Sequence, residues 1–238
     1  MVSALFPLRV KGAVTKRSGK RLVGPVDLEL DGKGACVLVG PNGSGKTTLL
    51  RLLHGIARLH EGEITWACDQ ATARNAQAFV FQRPVMLRRS VIDNIAYPLI
   101  MRGTPSSEAD DRARDWAARL GLTALLDHAA TVLSGGEQQK LALARALICA
   151  PEVVFLDEPT AALDGRSTRE IEGVLKKAQS EGTRLILSTH DMGQARRLAS
   201  KVVFMLHGRV HETAAAATFF DTPRTPEAKA FLSGDIVE

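Results

Sequence analysis

The 238-residue chain carries a formal net charge of +5, with hydrophobic residues at 45% and charged residues at 24%, ordinary globular proportions for a chain able to bury a sizeable core. No apolar run approaches the roughly 18 residues of a membrane span, and Met1-Val2-Ser3-Ala4-Leu5-Phe6 lacks the apolar core of a secretion signal, so a cytosolic chain is expected. Cys36, Cys68 and Cys149 are scattered and odd in number, which supports neither a disulfide framework nor a metal centre, while the mild basic balance suits a nucleic-acid surface and a neighbour of anionic lipid equally well.

In chain order, residues 5–34 read as short strands with turns at Ser18-Gly19-Lys20 and Asp31-Gly32-Lys33-Gly34. An apolar stretch at 35–39 reads as a buried strand and is followed by Gly40-Pro41-Asn42-Gly43-Ser44-Gly45-Lys46-Thr47-Thr48, then by helical spacing through about residue 57. Further strands are expected at 61–66 and at 78–81, the latter ending at Gln82. Residues 91–126 are mostly helical with a polar break at 103–107, and the side bearing Trp116, Ala117 and Leu120 faces inward. Gly135-Gly136 precedes a helix at 137–148 that stops near Pro151, and the apolar run 153–156 fits a central parallel strand. A helix at 167–181, a strand at 184–187, a helix at 192–199 and a hairpin at 202–210 complete the pattern. The alternation predicts an α/β fold with a parallel sheet, an N-terminal antiparallel β part and a helical insertion at about 84–150, without repeats or flexible linkers.

Three segments carry chemistry. Gly40 to Thr48 fits G-x-x-x-x-G-K-[ST] between a strand and a helix, the context in which glycines let backbone N–H groups close around phosphate oxygens. Lys46 would then reach the β- and γ-phosphates, and the Thr47 hydroxyl would ligate Mg²⁺. Asp157 and Glu158 end the apolar strand at the carboxyl edge of the sheet, where Asp157 can hold Mg²⁺ and Glu158 can polarise an attacking water. Alone, such an acidic pair is usually a solvated turn; behind a phosphate loop it becomes a catalytic candidate. Ser134-Gly135-Gly136-Glu137 opens a helix and offers a second set of N–H groups to an anion, although a serine N-cap is common on surface helices.

Taken in order, these motifs resemble the nucleotide-binding subunit of an ABC transporter, with the likeness covering nearly the whole chain as a single ABC ATPase domain, 1–238. The phosphate loop matches at Gly40 to Thr48, the glutamine after the next strand at Gln82, and the signature at Leu133 to Gln139, with Glu137 where glutamine is commoner. The acidic pair matches at Asp157 and Glu158, the loop communicating across the dimer at Ala162-Leu163-Asp164, and the switch histidine at His190. The resemblance implies a head-to-tail homodimer binding two ATP molecules, each between Lys46 of one subunit and Ser134 of the other. It further implies that His190 contacts the γ-phosphate and that Gln82 senses Mg²⁺ and water, beside Thr47 and Asp157. Such members usually stack an aromatic ring on adenine in the turn after the first strand; that position falls near Ser18, leaving the Arg17 guanidinium as a substitute.

With no span of its own, such a subunit would sit on the cytoplasmic face of the membrane against separate permease subunits, as in bacterial importers, with an extracytoplasmic solute-binding protein as indirect partner. The segment from Arg83 to Ser90 lies where that family receives a permease helix. Together with Gly193 to Ala199 and Phe219 to Pro223, it resembles tungstate-type oxyanion importers, with molybdate and then phosphate or other small solutes as alternatives; many molybdate subunits carry a regulatory domain beyond the point corresponding to residue 238. A soluble ABC ATPase acting on DNA or ribosomes is the competing class. It is disfavoured by the compact insertion, which replaces a long coiled coil, and no nucleic-acid partner is expected.

Overall fold

The computed structural model describes residues 5–161, 163–235 and 237. β1 (Leu8–Arg17) and β2 (Lys20–Leu30) form an antiparallel hairpin, and β4 (Glu61–Thr65) pairs with the other edge of β1. Ser18 (φ 50°) and Gly19 (φ 78°) make the left-handed two-residue turn that matches the twist of a hairpin. The expected short strands are thus two long ones. A register shift within β1 falls at Gly12, whose N–H donates to Asp27 Oδ1 at 2.8 Å.

The second sheet contains β3 (Ala35–Val39), β5 (Gln77–Val80), β6 (Val153–Asp157), β7 (Arg184–Ser188), β8 (Lys201–Leu206) and β9 (Arg209–Ala215), in the order β5-β6-β7-β3-β8-β9. Five strands are parallel, and β9 returns antiparallel to β8. Both faces are buried and the side chains alternate between two cores. Val37, Val154, Leu156, Leu187 and Phe204 face one core; Leu38, Val153, Phe155, Ile186 and Met205 face the other.

Helix α1 (Lys46–His54) covers the second face together with β1 and β2. It stops earlier than expected because Gly55 adopts φ 90° and caps it. α3 (Val91–Met101), α4 (Ser106–Arg119), α5 (Gly135–Leu147), α6 (Gly165–Ser180) and α7 (Met192–Leu198) contribute to the first core. Ala117 and Leu120 are buried as expected, and beyond Leu120 the helical pattern gives way to one 3-10 turn at Thr123–Leu125. Three short helices were not anticipated: α2 (Gln70–Asn75), α8 (Ala216–Asp221) and α9 (Pro226–Ser233). Start signals are nonetheless present at α2 and α9, though not at α8, which follows Ala215 without a side-chain cap. Asp69 caps α2 through the Ala71 and Thr72 N–H groups, and Thr225 with Pro226 opens α9. Among the described residues, no helix is long and apolar enough to cross a membrane.

Candidate functional site

The parallel strands bring their carboxyl ends to one edge, and the candidate residues leave the sheet there. β3 runs into the phosphate loop. A Cβ at Gly40 (φ 145°) would lie 2.2 Å from the Met205 carbonyl oxygen, and one at Gly45 (φ 101°) would lie 2.8 Å from Val23 Cγ2, so both positions exclude other residues. Gly43 (φ 81°) needs glycine for its backbone alone, since a Cβ there would meet nothing within 4 Å. The Ser44 N–H closes the turn on the Pro41 carbonyl at 3.2 Å, with Asn42 exposed between them.

Lys46 is buried, and its ammonium donates to the Gly40 and Pro41 carbonyl oxygens at 2.8 and 3.0 Å. Burial pulls its pKa down, while the nearby Glu158 and Asp157 carboxylates pull it up. Thr47, beside Thr48 in the first turn of α1, donates from Oγ1 to Asp157 Oδ1 at 2.7 Å. Asp157 is 1% exposed; its Oδ1 also receives the Ser188 hydroxyl at 2.9 Å, whereas its Oδ2 is buried without a hydrogen-bond partner. Arg51 approaches that oxygen to 4.0 Å and lies over the Phe81 ring, 5.8 Å from its centroid. A hydroxyl beside a carboxylate with an unclaimed oxygen is a donor set suited to a hard divalent cation and its waters. The loop, with its buried and unpartnered Ser44 Oγ, suits phosphate. The residues therefore fit ATP with Mg²⁺.

Glu158 follows β6 at φ 45°, in the left-handed region that side chains rarely adopt. Its N–H donates to Ser188 O and Ser188 Oγ, each at 3.1 Å, which holds the turn. The carboxylate is thereby aimed at two further candidates. Gln82 Nε2 donates to Glu158 Oε2 at 3.0 Å, and His190 Nδ1 lies 3.1 Å from the same oxygen. A carboxylate acceptor requires that Nδ1 carry a proton, which leaves Nε2 pointing elsewhere.

The sequence-expected residues Lys46, Thr47, Asp157, Glu158, Gln82 and His190 are thus brought to one place. Ser134 to Glu137 are not hydrogen-bonded to them. Ser134 caps α5 in a reciprocal box: Glu137 Oε2 receives the Ser134 N–H at 2.8 Å and the Ser134 hydroxyl at 2.7 Å, while the Glu137 N–H points back to Ser134 Oγ at 3.4 Å. These bonds, the serine hydroxyl first, hold the Glu137 carboxyl below its usual range. Gly135 and Gly136 have no positive φ, and a Cβ would meet nothing within 4 Å at Gly135 and only ordinary contacts, at 3.6 Å or beyond, at Gly136. Glycine in a helix costs about 0.5–1 kcal/mol relative to alanine. With no internal need for it, the pair leaves the first turn of α5 bare to whatever approaches from outside the chain. Of the loop at 162–164, Ala162 lies outside the described residues, and Asp164 caps α6 by accepting the Ser167 N–H at 2.7 Å.

Sequence reasoning missed Ser188. Its hydroxyl ties Asp157 to the Glu158 backbone, yet a serine ending an apolar strand carries no signal of that role.

Residues 23–161 match the family model described as ABC transporter. The L-cystine transport system ATP-binding protein TcyN of Escherichia coli K12 is 36% identical over 94% of this chain and 96% of its own length. The tungstate uptake system ATP-binding protein TupC of Peptoclostridium acidaminophilum is 43% identical over 74% of this chain and 83% of its own. Other relatives are ATP-binding proteins named for arginine transport, glutamine transport and glutamate/aspartate import. The ATP-binding cassette MJ0796, solved as a dimer in a post-hydrolysis state with ADP and phosphate, superposes with a TM-score of 0.79 at 26% identity, covering 88% of this chain and 98% of the other.

Proposed function

The chain belongs to the ABC transporter family as an ATP-hydrolysing subunit of an importer, and from that premise we propose the residue roles, the assembly and the substrate. The observation that carries the roles is the meeting of Gln82, Glu158 and His190 on one carboxylate oxygen beside Lys46, Thr47 and Asp157.

In this reading Lys46 turns from the loop carbonyls to the β- and γ-phosphates and neutralises their charge. Thr47 and Asp157 hold Mg²⁺, which supplies charge neutralisation on the phosphate oxygens when bound. Glu158 accepts a proton from the attacking water, and Gln82 fixes the carboxylate and that water through its amide. The proton on His190 Nδ1 is committed to Glu158, so His190 meets the γ-phosphate through the other side of its ring. Ser134 and the N–H groups of the bare first turn of α5 face the nucleotide held by a second copy. ATP then closes a head-to-tail dimer and hydrolysis opens it, a ligand-driven shift between two states.

The permease seat proposed here is a cavity of about 250 Å³ between β5 and the helical segment, bordered by Phe81, Pro84, Pro98, Arg102 and Arg145. Arg145 donates to the Val85 carbonyl at 2.7 Å, so the loop after Gln82 is held by the same helix that begins at the signature. A permease helix in this seat would bear on both. The complex would lie on the cytoplasmic face of the membrane, served by a solute-binding protein outside.

For the solute we propose tungstate or molybdate, supported by the wording of residues 81–90 and 193–199 and by the likeness to TupC. An amino acid is the second reading, favoured by the fuller coverage of the match to TcyN. The test compares native cells carrying wild type or Glu158→Gln. Tungsten, molybdenum and phosphorus content are read by mass spectrometry, and uptake of labelled cystine is followed in parallel. Selective loss of tungsten or molybdenum supports the oxyanion reading. Loss of cystine uptake with the metals unchanged replaces it with the amino-acid reading.

A further inference from the structure

Glu137 stands in an unusual relation to the surface it borders. Its carboxylate takes both the N–H and the hydroxyl of Ser134 through one oxygen, Oε2. Those are two of the donors that the first turn of α5 can show an approaching anion. The glycines that follow keep that turn free of side chains, although neither backbone conformation nor internal packing demands it. The turn is therefore open to close approach while an internal anion occupies its leading donors.

We propose that Glu137 is a positioning residue that restrains nucleotide-driven dimer closure: its carboxylate holds the Ser134 hydroxyl and must yield it before a phosphate on the facing subunit can be bound there. The inference rests on the reading of Ser134 as the contact to the nucleotide of the second copy. Two effects act together. The hydroxyl proton has one acceptor at a time, so binding phosphate costs the bond to Glu137. The fixed negative charge also repels the phosphate across a short gap that closure desolvates. A glutamine would keep the cap, since its side-chain oxygen still accepts the Ser134 N–H, while removing the charge.

The experiment measures the Mg-ATP-dependent monomer–dimer equilibrium by sedimentation, in a Glu158→Gln background that prevents turnover from reopening the dimer. Adding Glu137→Gln is expected to tighten the dimer by about tenfold, with the gap shrinking as salt is raised. Glu137→Ala, which loses cap and charge together, is expected to tighten it less. In a Ser134→Ala background the effect of Glu137→Gln should shrink to the salt-sensitive part, because the hydroxyl contact is gone while the carboxylate charge remains. A dimer unchanged or weakened by Glu137→Gln would overturn the inference and reduce Glu137 to a helix cap. Should the Glu158→Gln protein bind ATP and stay monomeric, the dimer reading itself fails, and the inference with it.

Discussion

Gln82 and Glu158 are joined by a 3.0 Å hydrogen bond from amide to carboxylate, although they lie 76 residues apart. The contact follows from β5 and β6 being adjacent parallel strands, so that the residues just beyond them leave the sheet side by side. Glu158→Gln replaces an acceptor-only group with an amide of the same shape that cannot take a proton at neutral pH. ATP binding should persist, with turnover slowed by on the order of 10²–10⁴. Equilibrium nucleotide binding and steady-state phosphate release measure the two separately; turnover at the wild-type rate would remove Glu158 as the base.

Ser188 supports that geometry from beneath. Its hydroxyl donates to Asp157 and accepts from the Glu158 N–H, in a position with no solvent exposure. Ser188→Ala leaves Asp157 Oδ1 with the Thr47 hydroxyl and weakens the restraint on a residue at φ 45°. A loss of about 1–3 kcal/mol in unfolding free energy is expected, together with a fall in kcat larger than any change in KM. Denaturant unfolding and ATPase kinetics on the same preparation would show it. An unaltered kcat would mean that the Glu158 turn holds itself.

The site was legible in the sequence wherever chemistry demands a residue type at a fixed spacing. Gly40 and Gly45 cannot be replaced without collision, and Asp157 and Glu158 end a continuous apolar run, so both segments could be read directly. Their meeting with Gln82 and His190 depends on strand order, which residue patterns do not encode; there the likeness to a family supplied what spacing lacked. Ser188 stayed hidden because its work is a contact between neighbouring strands. The short helices α2, α8 and α9 stayed hidden for another reason: six to eight residues give too few turns for an apolar stripe to stand out, and only α2 and α9 carry a side-chain cap to mark them.

Base recognition is predicted to be weak. The β1–β2 turn that would meet the adenine presents Ser18 in a left-handed conformation, followed by Gly19, and neither has a ring. Arg17 is exposed and has no ion pair among the described residues, so its guanidinium is available to stack on either purine. Competition binding should give ATP and GTP affinities within about tenfold of each other, and Ser18→Tyr should strengthen both by about 1 kcal/mol through stacking. A strong ATP preference in the wild type would show that another group reads the adenine edge.

Glu212 predicts how the C-terminal helix responds to acid. It is 6% exposed, and its carboxylate accepts the Arg224 N–H at 3.0 and 3.2 Å, the Thr225 N–H at 3.0 Å and the Thr225 hydroxyl at 2.9 Å. Burial alone would raise its pKa, but the backbone and hydroxyl donors outweigh burial and hold it below the ordinary value of 4.5. A carboxyl whose folded pKa is depressed stabilises the fold fully above its unfolded pKa and loses that contribution as pH falls through the folded one. Thr225 Oγ in turn accepts the Ala228 N–H at 3.2 Å, so protonation of Glu212 loosens the start of α9. Glu212→Gln should cost about 1–3 kcal/mol at neutral pH, and its difference from wild type should narrow once the pH falls below 4.5. Denaturant unfolding across that interval measures the linkage, and amide exchange at Ala228 locates it. A difference that stays constant with pH would mean that Glu212 contributes through packing and not through its charge.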